Sequence, residues 1–146
     1  MKRTGYVRAA EASDTEGLAQ LMTFLGYPVS AQEMEQRLPG LLNDPIYQTY
    51  VYEEDGHLAG MIGMMYSLAY HTDDSHIRII AFVVDSAYRG QGIGRALMNK
   101  AEKWGQKKKA TRLTLNSGNR GDRQQAHSVY HHLGFEGKAT GFYKQL

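Results

Sequence analysis

The sequence contains no cysteine. This excludes disulfide bonds, thiolate zinc sites and a cysteine nucleophile, and it fits a reducing compartment such as the cytoplasm. No stretch approaches the ~20 consecutive apolar residues of a membrane-spanning helix. The N-terminal run "MKRTGYVRAAEAS" lacks the apolar core of a signal peptide, so a cytoplasmic protein is expected. Neither sign of charge dominates: 17 Lys and Arg face 15 Asp and Glu, for a formal net charge of +2. That balance suits small anionic ligands without demanding nucleic acid. What is present in quantity is tyrosine, ten residues, and methionine, seven. Adaptable packing accounts for them, and a plastic ligand pocket is the sharper reading.

The 146 residues fit one domain over 1–146. A chain of this size buries roughly 68–70% of its unfolded surface, enough for a core without staples. Tyr6 to Ala10 reads as a short strand. Ser13 to Glu16 is a capping-box pattern, followed by Leu18, Leu21, Met22 and Leu25 at helical spacing. A second box, Ser30 to Glu33, opens a helix with Met34, Leu38, Leu41 and Leu42 on one face, which Pro39 should kink or end. "QTYVYEE" and "HLAGMIGMMYS" are strand-like runs joined by Asp55-Gly56, a hairpin signal. His76 to Asp85 is nearly continuously apolar and β-branched, as in a central strand covered on both faces. Ile93, Ala96, Leu97, Ala101 and Trp104 mark a third helix that runs into Lys107 to Lys109, cations opposed to the negative end of its dipole. Thr111 to Asn116 is another strand. A fourth helix, capped by Asp122, carries Ala126, Val129, Tyr130 and Leu133 and stops at Gly134. "FEGKATGFYKQL" closes the chain as a hairpin. The order β α α β β β α β α β β predicts an α/β fold with a mixed sheet and helices on both faces.

Between the apolar strand and the third helix lies "YRGQGIGRALM", Tyr88 to Met98. Three glycines before a helix offer backbone N–H groups and the positive dipole end to an anion, most often a phosphate. Arg95-Ala96 follows the last glycine, so the lysine and hydroxyl of a Walker loop are absent. The spacing is G-x-G-x-G, and no acid falls near Thr111 to Thr114, which fails the dinucleotide fingerprint.

Arg89-Gly90-Gln91-Gly92-Ile93-Gly94 fits [QR]-x-x-G-x-[GA], with Val83-Val84-Asp85 upstream, and "AHSVYHHLGF" resembles the segment A-x-x-x-Y-x-x-x-GF. In this element order, the chain resembles the GNAT superfamily of acetyl-CoA-dependent N-acetyltransferases. The resemblance implies a sheet splayed between the strands "IIAFVVD" and "TRLTLN". Acetyl-CoA, as cosubstrate, would pair its pantetheine with strand backbone at Phe82, Val83 and Val84. The backbone of Gly90, Gln91, Gly92, Ile93, Gly94 and Arg95 would hold the pyrophosphate, with charge-assisted contacts from Arg89 and Arg95. An N–H near Phe82 would serve the oxyanion.

In the same resemblance Tyr130 stands at the place of the general acid, and a phenol with a pKa of about 10 suits protonation of a thiolate. Packing of the helix on the sheet is the structural alternative for it. The family often has an asparagine where this chain has Arg123 and a lysine where it has His132; either could meet the 3′-phosphate of CoA. The carboxylate many members carry on the fourth strand is missing from "SHIRIIAF". Glu53, Glu54, His71, Asp73, Asp74 and His76 are candidate bases, and a water chain serves equally. Metal binding by His131 and His132 is not expected, because neighbours on a helix point apart. The expected partners are acetyl-CoA and a small-molecule primary amine, with a second copy of the chain as a further candidate. Neither membrane nor nucleic acid is expected. A protein or peptide N-acetyltransferase, or a non-catalytic acyl-CoA-binding module, is the alternative.

Overall fold

The computed structural model describes residues 5–115, 130–137 and 142–146. The chain divides into two compact units, Met1–Thr114 and Leu115–Leu146. The first begins with β1 (Tyr6–Ala9), α1 (Thr15–Leu25), α2 (Ala31–Leu42), β2 (Tyr47–Glu54) and β3 (His57–Leu68). It continues with β4 (Ser75–Val84), α3 (Ile93–Lys107) and most of β5 (Arg112–Leu115). The five strands lie in the order β1-β2-β3-β4-β5. The first four pair antiparallel with their sequence neighbours. At the foot of β4, the N–H and hydroxyl of Thr111 both donate to Ser75 O, at 2.9 and 3.1 Å, which ties in the start of β5.

Local chemistry explains most boundaries. In α2, Glu33 N–H donates to Ser30 Oγ at 3.1 Å and Ser30 N–H donates to Glu33 Oε1 at 3.0 Å, the reciprocal box read from sequence. The Asp55-Gly56 turn takes positive φ at both residues, 50° and 79°, which matches the twist of the β2–β3 ribbon. α1 departs from its expected start. A 3-10 turn, Ala12–Asp14, precedes it, and the Asp14 carboxylate accepts Glu11 N–H at 2.7 Å. The Ser13–Glu16 box gives way because Arg8 reaches across from β1 and fixes Asp14. Pro39 does not end α2, which continues to Leu42. The burial of Met34 and Leu38 outweighs the backbone hydrogen bond that proline removes.

One core lies between α1, α2 and the sheet, built from Leu18, Leu21, Met34, Leu38, Val51 and Met61, with Ala81 and Val83 packed against it. On the other face α3 buries Ile93, Leu97, Met98, Ala101 and Trp104. Helices on both faces of a mixed sheet are as the sequence implied.

In the second unit, Tyr130 to His132 are helical and the turn closes at Gly134, φ 97°. Phe135 N–H donates back to Tyr130 O at 3.0 Å, the helix stop read from sequence. Of the expected closing hairpin, residues 138–141 lie outside the described residues, and 135–137 and 142–146 form no strand, so five strands are described where seven were expected. Phe142 and Tyr143 are both exposed. Asp122 lies outside the described residues. No helix among the described residues is long and apolar enough to cross a membrane.

Candidate functional site

The chain leaves β4 at Asp85 and turns into α3 within a few residues. Asp85 is buried and holds the turn three ways. Its Oδ1 accepts Ala87 N–H at 3.0 Å, capping a 3-10 turn at Ser86–Tyr88. Its Oδ2 lies 3.1 Å from His57 Nε2. Its own N–H donates to Ala59 O at 2.8 Å. The His57 ring also stacks on Tyr88, with centroids 5.3 Å apart and 19° between planes. Residues at the start of β3 therefore brace the entry to the glycine loop.

Beyond that brace Arg89 is extended and exposed. Gly90 and Gly92 take φ of 81° and 79°, the left-handed region where a side chain is strained. A Cβ on Gly90 would meet nothing within 4 Å, so the backbone angle and not internal crowding calls for glycine. Gly92 is the N-cap of α3. The first helical bond runs from Ala96 N–H to Gly92 O at 3.0 Å. The amides of Ile93, Gly94 and Arg95 precede it, at the positive end of the helix dipole. A Cβ on Gly94 would lie 3.5 Å from Phe82 Cζ and 3.8 Å from Val84 Cγ2. The start of α3 and the end of β4 thus lie side by side at Gly94, Phe82 and Val84.

The ladder between β3 and β4 shapes this locale further. The Asp85–Ala59 bond marks a hydrogen-bonded pair, so alternation makes Val83–Met61 the next such pair. The backbone N–H and C=O groups of Phe82 and Val84 then face away from β3. Gly63 lies opposite Ala81 while Met64 lies opposite Ile79, which makes Ile80 an extra residue, a β-bulge. The bulge reverses the strand's faces. Before it Ile77 is on the α3 side, against the place of Gly105; after it Ala81 and Val83 pack toward α1 and α2.

On that α1/α2 side a cavity of about 190 Å³ opens beside the bulge. Its floor is a row of small residues that the register aligns across three strands, Thr49, Gly63 and Ala81. Its walls include Met22, Met34 and Met61, and Arg37 stands on its border. No carboxylate or imidazole lines it.

The remaining candidates are dispersed. Glu53 is committed to Arg8, whose guanidinium lies 2.8 Å away. His71, Asp73 and Asp74 are exposed between β3 and β4. Glu54 is half-buried beside the hairpin turn. Burial, then the charges of Arg112, Arg78 and His71, push the His76 imidazole below its ordinary pKa. It stands six positions before Phe82, about 20 Å at the usual rise per residue. Tyr130 and His132 lie in the second unit. There the Tyr130 ring meets Phe135 edge-on, centroids 6.4 Å apart. Arg123 lies outside the described residues. No group of three metal-ligating side chains occurs among the described residues.

Sequence reasoning missed His57, Tyr88, Arg37 and the cavity floor. Asp55-Gly56 pointed to the hairpin that carries His57, but its pairing with Asp85, 28 positions on, has no local signal.

Three comparisons bear on this arrangement. A family model described as the acetyltransferase (GNAT) family matches residues 15–135. A Bacillus subtilis (strain 168) protein, provisionally named a ribosomal protein bS18-alanine N-acetyltransferase, is 39% identical over 75 residues. The match spans 51% of this chain and 46% of that protein, about half of each. The crystal structure of a GNAT family acetyltransferase from Staphylococcus aureus is 29% identical, with a TM-score of 0.82 over 98% of this chain and 99% of the other. An aminoglycoside N-acetyltransferase solved in complex with CoA shares the fold at 15% identity, with a TM-score of 0.87 over 99% and 97% of the two chains.

Proposed function

The chain belongs to the GNAT acetyltransferase family, whose members are acetyl-CoA-dependent acyltransferases, and we propose that it transfers the acetyl group to a primary amine of a small molecule by direct attack in a ternary complex. One single domain, 1–146, would carry the whole activity. The observation that carries the reading is the loop from Arg89 to Arg95, with two left-handed glycines leading into the N-terminus of α3. The first-turn amides of α3 and the exposed Arg89 would serve a pyrophosphate.

Acetyl-CoA supplies an acyl group activated as a thioester. The chain's part is to hold and polarise it. Phe82 and Val84 would pair with the pantetheine amides, as an added strand pairs at a sheet edge. An N–H near Phe82 would take the oxyanion. Attack forms the C–N bond and expels the thiolate, which would take its proton from Tyr130. The attacking nitrogen would lose its proton to water, since no carboxylate or imidazole lines the cavity beside the bulge. Arg123 or His132 would meet the 3′-phosphate.

The test is Tyr130→Phe in single-turnover acetylation of an amine found by screening for released CoA. The expected outcome is a fall in the chemical rate of roughly 10²–10⁴-fold with acetyl-CoA affinity kept. An unchanged rate would remove Tyr130 from the mechanism. A second reading, acetylation of a protein N-terminus, is favoured by the name of the Bacillus subtilis relative, and a peptide in the same screen addresses it.

A further inference from the structure

From the cavity between α1, α2 and the sheet we infer the class of acceptor, an inference that rests on the acetyltransferase reading above. The acceptor is a monoamine with a compact apolar body and an anionic group, as in a free amino acid with an aliphatic or aromatic side chain. The apolar body fills the cavity, the anionic group meets Arg37, and the amine turns toward Ala81 and Phe82.

Size and lining support the apolar body. A cavity of about 150 Å³ lined by apolar side chains accepts benzene, and this one is about 190 Å³. It exists because the three residues in register across its floor are a threonine, a glycine and an alanine. Larger side chains there would fill the space that α1 and α2 roof. The thioether side chains of Met22, Met34 and Met61 adapt to an apolar guest, the pocket role that the methionine content raised as a possibility.

Charge supports the anionic group. Arg37 is the one charged residue of the lining and is exposed; its charge acts on Glu33 one turn earlier in α2, but no carboxylate among the described residues lies within 4.0 Å of it. Its fork of donors suits a carboxylate. No acidic side chain lines the cavity, so a polycationic acceptor would meet a cation and find no partner. Position supports the orientation of the amine. Ala81 sits in the floor, and its neighbour Phe82 is the residue whose backbone turns away from β3 at the proposed thioester site.

The experiment measures kcat/KM for L-phenylalanine, L-leucine, phenethylamine, spermidine and a short peptide by release of CoA. It is repeated with Arg37→Gln and with Gly63→Val. A Cβ at Gly63 would meet only Ala81 Cβ at 3.7 Å and Met61 Cε at 3.8 Å, which is ordinary contact; Gly63→Ala is the milder step. The expected result is preference for the two amino acids over spermidine and the peptide. Arg37→Gln should raise KM for L-phenylalanine by about tenfold or more, as loss of a charge-assisted contact does, and leave phenethylamine unaffected. Gly63→Val should lower kcat/KM for both amino acids. All variants should keep the thermal shift given by acetyl-CoA. Preference for spermidine or the peptide, or indifference of L-phenylalanine turnover to Arg37→Gln and Gly63→Val, would overturn the inference. So would a failure of both amino acids to react in an enzyme that acetyl-CoA stabilises, while the acetyltransferase reading would stand. Absence of any stabilisation by acetyl-CoA would overturn that reading itself.

Discussion

Arg8 and Asp14 show how single side chains fix the junction that places α1. Arg8 Nη1 and Nη2 each lie 2.8 Å from an Asp14 carboxylate oxygen, and Asp14 also accepts Glu11 N–H. The Arg8 guanidinium holds the Asp14 carboxyl below the usual range, against the opposing effect of burial. The Arg8 guanidinium is raised by the same contact and stays charged throughout. A carboxyl depressed in the folded state stabilises the fold above its unfolded pKa of about 4 and loses that contribution as pH falls through this value and below. Asp14→Asn is therefore expected to cost about 1–3 kcal/mol at pH 7. The gap to the natural protein should narrow toward pH 3. Urea unfolding at the two pH values checks this; a gap that stays constant would remove the carboxylate's charge from the account. Glu53, a candidate base on sequence grounds, is the third member of this cluster, which gives it a structural role that a reading of residue type alone does not reveal.

At the scale of elements, the legible features were those with local causes. The Ser30–Glu33 box, the Asp55-Gly56 turn and the buried stripe of α3 each rest on residues within one or two helical turns, so sequence suffices. The bulge at Ile80 does not: nothing in "HIRIIAFVVD" marks which residue is extra, because the pairing with β3 decides it. The start of α1 was misread for a similar reason, since Arg8 belongs to another element. Pro39 does not end α2, because the tertiary burial of Met34 and Leu38, which propensity leaves out, carries the helix on to Leu42. The proline still removes a hydrogen bond from α2, so Pro39→Ala should stabilise the protein by about 1–3 kcal/mol. Chemical denaturation measures this, and a loss of stability would mean that Pro39 has a packing role instead.

For the whole molecule, half of the candidate site was legible. The glycine loop is contiguous, and its chemistry follows from three glycines between a strand and a helix. The cavity was illegible because its floor comes from positions 49, 63 and 81, which only the register of three strands brings into a row. Its methionines were noticed as composition and not as a place. The central claim is that the loop before α3 binds the CoA moiety of acetyl-CoA. The most direct test is the melting temperature of the natural protein and of Gly92→Val with acetyl-CoA, ATP and NAD. A ligand at 100 times its Kd stabilises the folded state by about 2.7 kcal/mol. Acetyl-CoA should therefore raise the melting temperature of the natural protein well beyond what ATP or NAD achieves. Gly92→Val should unfold cooperatively from a lower baseline, because valine is strained at φ 79°, and should show no shift with acetyl-CoA. An equal shift with NAD, or a full acetyl-CoA shift retained in Gly92→Val, would contradict the account.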